Sequence, residues 1–189
     1  MDRREVLRRV AFIMGGAVSA PTVSAFLTGC QRSEEATVEL FTFTPDQLER
    51  VSVIAEHIIP ATETPGAKDA GVPEFIDLML HHCYEEEERN SFLSGLDQVE
   101  TDAQEKNGDS FVELSSEQQL SLLKDYQTEA LAQQGEGNPP AFIHMMRELT
   151  LLGYFTSEVG ATQALEYVPV PGRYEGCIPL EADHKAWAT

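Results

Sequence analysis

The chain has 189 residues, with 13 Lys and Arg against 32 Asp and Glu, a formal net charge of -19, 42% hydrophobic residues and three cysteines, the proportions of one ordinary globular domain. So large an acidic excess excludes nucleic acid and anionic lipid headgroups as partners held through charge, because both need a basic face. Three cysteines are too few for a disulfide scaffold, and a chain of this length can bury a core without one.

The chain begins with four arginines (Arg3, Arg4, Arg8, Arg9), continues through an apolar stretch from Val10 to Phe26 diluted by Gly15, Gly16, Ser19 and Pro21, and reaches Leu27-Thr28-Gly29-Cys30. A basic start, a short apolar middle and small residues at the end are the parts of an export signal. The stretch falls short of the roughly 20 predominantly apolar residues that a spanning helix needs. Arg3-Arg4-Glu5-Val6-Leu7 resembles the twin-arginine signal, which is read by a translocase that moves folded cargo. Leu27-Thr28-Gly29-Cys30 resembles a bacterial lipobox, whose cysteine is acylated and becomes the first residue of the mature protein. These segments predict a signal peptide over 1–29, a lipid anchor at Cys30, a polar tether over 30–43 and a folded domain over 44–189, exported to the periplasm and held at a membrane. Loss of 1–29 removes four arginines and two acids, leaving 9 basic and 30 acidic residues and a formal charge of -21.

The body reads as about five helices, an all-α domain. Thr44-Pro45-Asp46 is a helix start, with a capping hydroxyl and a proline in the first turn, and Leu48, Val51, Ala55 and Ile58 then share one face until Pro60. Residues 60–72 hold two prolines and two glycines without an apolar period, and so form a loop. Pro73 opens a second helix, dense in Phe75, Ile76, Leu78, Met79 and Leu80. Glu85 to Glu88 begin either a polar turn or a continuation that carries Phe92, Leu96, Val99 and Ala103 as far as Asn107-Gly108. Ser115 and Gln118 form a capping-box pattern ahead of Leu120, Leu122, Leu123, Tyr126, Ala130 and Leu131. After Gly135 to Pro140, Ala141 to Phe155 carries apolar residues at three- and four-residue steps, and 157–165 reads as a further short helix. The tail from Glu166 is rich in Pro, Gly and Tyr and cannot be regular helix. Such a segment wraps its own domain or lies on a partner. Nothing alternates like a strand.

Reacting groups are scarce. There is no Gly-rich phosphate loop, no Cys-x-x-Cys and no His-Glu-x-x-His. A di-iron bundle needs two Glu-x-x-His motifs on facing helices, and the one match, Glu181 to His184, falls in the tail. His81 and His82 stand about 100° apart on a helix, which argues against one metal, and the acidic run beyond them reads as a solvated face. His57 reads as a cap on the last carbonyls of the first helix. No residue is assigned as catalytic, cofactor-binding or metal-binding. With Cys30 lipidated, two cysteines remain: Cys83 and Cys177 pair within the chain, or Cys83 is a buried thiol and Cys177 bonds another subunit.

Ile59-Pro60 through Pro65-Gly66-Ala67, Gly71-Val72-Pro73-Glu74-Phe75-Ile76-Asp77, Leu152-Gly153-Tyr154-Phe155-Thr156-Ser157-Glu158-Val159-Gly160 and Tyr167 through Pro171-Gly172-Arg173-Tyr174-Glu175-Gly176-Cys177 together resemble the gluconate 2-dehydrogenase subunit 3 family. The resemblance spans roughly 45–180. It implies a non-catalytic gamma subunit beside a large FAD-containing catalytic subunit of the glucose–methanol–choline type, often with a c-type cytochrome, in a complex that oxidises sugars, sugar acids or polyols. It further implies that the small subunit escorts the folded, flavin-loaded partner through the twin-arginine route. Pro60, Pro65, Gly66, Pro73, Tyr154, Pro171, Gly172 and Tyr174 become the expected partner-facing positions. Cys177, inside the matching tail, becomes the candidate for an intersubunit disulfide. The competing expectation is a stand-alone acidic helical lipoprotein of the periplasm with a binding or scaffold role.

Overall fold

Start and stop residues set the helices. In the computed structural model, which describes residues 40–132, 141–170 and 184–188 together with Glu5, Gly172, Cys177 and Pro179, α1 spans Pro45–Ile58 and α2 Val72–His82. Helix α3 spans Glu86–Asn107, α4 Ser116–Ala132 and α5 Phe142–Thr156. Residue contacts divide the chain into Met1–Val38 and Glu39–Thr189, and all five helices belong to the second unit. The expectations for Arg3, Arg4, Cys30, the tether before residue 40, Pro171 and Tyr174 lie outside the described residues.

Thr44 and Gln47 exchange hydrogen bonds at the start of α1, Thr44 N–H donating to Gln47 Oε1 at 3.0 Å and Gln47 N–H to Thr44 Oγ1 at 3.3 Å. This is the reciprocal capping box. Gly71, at φ 74°, turns the chain into α2 in the left-handed region, where a side chain is strained. The run of glutamates starts a new helix: Glu85 caps α3, and its N–H donates to Glu88 Oε2 at 3.1 Å. Ser115 and Gln118 form the expected box before α4.

Helix α5 is the centre, packing against each of the other four. Phe142, Ile143, Met145, Met146, Leu149, Thr150, Gly153 and Tyr154 are buried along it. Helix α3 contributes Phe92, Leu96, Val99 and Ala103, the stripe expected from their spacing. Phe92 stacks between Phe43 and Phe142, with ring centroids at 6.0 and 5.0 Å. Each such ring or leucine removed from water contributes about 1.5–3 kcal/mol.

Buried Arg50 of α1 crosses to α3: its Nη1 donates to Leu96 O and pairs with Asp97, both at 3.2 Å. Its Nε lies 3.3 Å from Glu100 Oε2, an ion-pair distance without hydrogen-bond alignment. Glu100 also accepts from Phe111 N–H at 3.2 Å, tying the short 3-10 turn Phe111–Glu113 to α3.

Two features go beyond the expected elements. The short helix expected over 157–165 is present, and it closes as a π-helical turn, Gly160–Ala164, where the sequence specifies no helix type. Beyond it Glu166–Tyr167 (β1) pairs in parallel with Trp187–Ala188 (β2), Glu166 opposite Trp187. A two-residue strand carries no alternation that a sequence pattern could register.

Candidate functional site

The loop between α1 and α2 is held from both sides. Glu56, in the last turn of α1, accepts from Ala61 N–H at 2.9 Å through Oε1 and from Lys68 N–H at 3.1 Å through Oε2. Ala67 N–H returns to Ile59 O at 2.9 Å. From α5, Tyr154 OH donates to Pro65 O at 2.9 Å and lies 3.2 Å from Thr64 Oγ1. Gly66 sits so close to the Glu56 carboxylate that a Cβ there would overlap it. A side chain at this point would push the Glu56 carboxylate away from the two N–H groups it accepts from.

Next to the loop, α2 and α5 touch where Gly153 faces Phe75; a Cβ on Gly153 would come within 2.6 Å of Phe75 Cδ1. Segments 59–77 and 152–160, more than seventy residues apart in the chain, therefore form one junction. Asp77, 2% exposed, completes it from below. Its carboxylate accepts from the N–H groups of Phe41, Thr42 and Phe43 at 2.8, 2.9 and 2.7 Å and clips the entering chain to α2.

The expected partner-facing residues divide by burial. Pro60 is exposed and Pro65 half-buried, whereas Gly66, Pro73 and Tyr154 are buried and shape the loop from within. Gly172, at φ 73°, and Cys177 are exposed. The elements that form the junction and the tail also carry exposed apolar side chains: Leu78 on α2, Leu151, Leu152 and Phe155 on α5, then Tyr167 and Val170 in the tail. Apolar surface of this kind marks contact sites when it clusters.

Several single-residue expectations are corrected. Cys83 is exposed, not buried at the end of its apolar helix, and neither it nor Cys177 is in a disulfide. His57 does not cap α1; its Nε2 lies 2.7 Å from Gln119 Oε1 on α4. Because the Gln119 amide donates to Phe111 O at 2.9 Å and Val112 O at 3.3 Å, its oxygen is the acceptor and His57 Nε2–H the donor. His81 and His82 meet edge to face at 4.6 Å and both lie against Phe41. Among the described residues no group of three or more His, Cys, Asp or Glu is placed to hold a metal ion. His184 lies 3.8 Å from Glu166 Oε2. No described helix is long and apolar enough to cross a membrane.

Glu56 and Asp77 are given no role by the sequence patterns, although Asp77 closes the matching segment 71–77. Asp77 does carry a signal, an acid directly after Ile76 in the apolar segment Phe75 to Leu80, since a buried carboxylate requires donors.

Among the described residues, four helices packed around a central α5, with a side-chain-pinned loop at one junction, define a small all-α domain. Its residues 45–172 match the family model described as Gluconate 2-dehydrogenase subunit 3. The match covers about two thirds of the chain, including all five helices, and the chain belongs to this family. Comparison with curated proteins and with solved structures gave no match.

Proposed function

We propose that this chain is the accessory subunit of a flavin-dependent dehydrogenase. It binds and stabilises a large FAD-containing catalytic subunit of the glucose–methanol–choline type, which oxidises a sugar, sugar acid or polyol. Arg3 and Arg4 address the pair to the twin-arginine translocase, and acylated Cys30 holds it at the periplasmic side of a bacterial membrane, where a c-type cytochrome can receive the electrons. The flavin belongs to the partner, and this chain contributes no reacting group.

The observation that carries the reading is the family match over 45–172. The pinned loop supports it: a fixed, Pro- and Gly-rich surface loop beside exposed Leu151, Leu152 and Phe155 loses little freedom on binding. Tyr167 and Val170 of the tail are exposed as well, and exposed Cys177 is the candidate for a covalent link to the large subunit.

The test is an affinity pull-down of the tagged full chain from detergent-solubilised membranes of its native host, read by mass spectrometry and flavin absorbance. A stoichiometric large partner carrying flavin is the expected result. A colourless, partner-free protein overturns the reading and favours a stand-alone lipoprotein.

A further inference from the structure

A cleft of about 320 Å3 opens where the second half of α1, the pinned loop and the first turn of α4 meet. Ser52, Glu56 and His57 line it from α1, Lys68 from the loop, and Ser116 and Gln119 from α4. Three of these groups are already committed. Gln119 is fixed by two backbone carbonyls and holds the His57 ring. Both Glu56 oxygens accept backbone N–H groups, which offsets part of that carboxylate's charge.

Ser52 is different. It is 8% exposed, and its hydroxyl has no hydrogen-bond partner among the described residues. A hydroxyl inside a helix commonly bonds back to the carbonyl four residues earlier, and Thr101, Thr128, Thr150, Thr156 and Thr162 all do so in this protein. Ser52 instead lines the cleft, and its hydroxyl, open to solvent there, is available to a ligand. Ser116 Oγ is likewise unpaired, and Lys68 makes no ion pair within 4.0 Å among the described residues. Ser116 is also the first residue of the 17-residue α4, whose leading N–H groups add positive potential.

Ser52, Ser116, Lys68 and the start of α4 line one space of about 320 Å3, enough for a short side chain. The geometry points to a carboxylate-binding site that receives an acidic side chain, Asp or Glu, of the large subunit. This rests on the accessory-subunit reading and adds the chemistry of one contact. A chain of net charge -19 repels a carboxylate at a distance, so the cleft rewards it only on close approach. It therefore acts as a register and specificity element and does not speed encounter.

The test measures association of the full chain with its large subunit for four variants. Lys68→Glu is expected to weaken binding about ten- to a hundredfold and Ser52→Ala about fivefold, whereas Lys68→Arg retains most of the affinity. Ser52→Ala should leave the thermal midpoint of the free chain unchanged, because its hydroxyl serves no partner there. Lys124→Glu makes the same charge change on an exposed position of α4 outside the cleft and should bind as the unaltered chain does. If the unaltered pair forms and Lys68→Glu and Ser52→Ala bind equally well, the cleft assignment is overturned and the accessory-subunit reading stands. Equal weakening by Lys124→Glu also overturns it, as an effect of bulk charge. Failure of the unaltered pair to form overturns both readings.

Discussion

Three N–H groups, of Phe41, Thr42 and Phe43, donate to the Asp77 carboxylate, so the cost of removing that one side chain is set by the donors it leaves behind. Hydrogen bonds to a charged group are worth about 1.5–3 kcal/mol each, but donors near the surface recover water. Only the Phe43 contact is fully buried. Asp77→Ala is therefore expected to lower unfolding stability by about 3 kcal/mol, and Asp77→Asn, which keeps one acceptor, by less. Urea denaturation of the three proteins checks this, and a loss below about 1 kcal/mol for Asp77→Ala would show that the clip is dispensable. At the same scale, exposed Cys177 is expected to form the covalent link in the complex. Cys177→Ser should remove the heterodimer band on non-reducing gels, and survival of that band excludes the bridge.

Elements were legible where a cap stood beside an apolar period. Thr44-Pro45, Gly108 and the Ser115–Gln118 pair mark ends of α1, α3 and α4 in the sequence. The Pro- and Gly-rich loop was legible for the same reason, as local chemistry. What held it was not: Glu56 and Tyr154 act through contacts made only once α1 and α5 are side by side. The partner of His57 was hidden likewise, because Gln119 lies sixty-two residues away. The α2–α5 junction gives the sharpest test of packing. Alanine is a better helix residue than glycine by about 1 kcal/mol, so Gly153→Ala should stabilise α5 if nothing opposes it. Phe75 does oppose it, with its ring within 2.6 Å of the added carbon, and a net loss of about 1–2 kcal/mol is expected. Phe75→Leu in the same chain should recover part of that loss. A double-mutant cycle with no coupling would mean that the helices do not meet there.

At the scale of the whole chain, export and stability give separate predictions. Arg3→Lys with Arg4→Lys is expected to leave the partner's flavin activity in the cytoplasmic fraction, and normal periplasmic activity would remove the escort role. Stability against pH turns on two tyrosines. Tyr126 donates to Asp102 Oδ2 at 3.0 Å; burial foremost, then this hydrogen bond and the charges of Asp102 and Glu129, push its pKa well above the usual 10.0. Tyr84 is raised chiefly by burial, then by Glu148, Glu88 and Cys83. In both cases the folded state holds the phenolic proton more tightly than the unfolded state does. Below pH about 10 both states are protonated and the contribution is complete; as pH rises past that value the unfolded chain ionises first, and stability falls. Denaturation midpoints followed from about pH 8 to about pH 11 should therefore decline at the alkaline end. Rising self-repulsion in a chain of charge -19 produces a decline of the same sign, but salt screens that part and leaves buried groups largely unscreened. Tyr126→Phe separates the two. It should lose about 1 kcal/mol at neutral pH with the hydrogen bond, yet show a shallower alkaline decline at high salt. An unchanged slope in that variant would assign the alkaline loss to net charge alone.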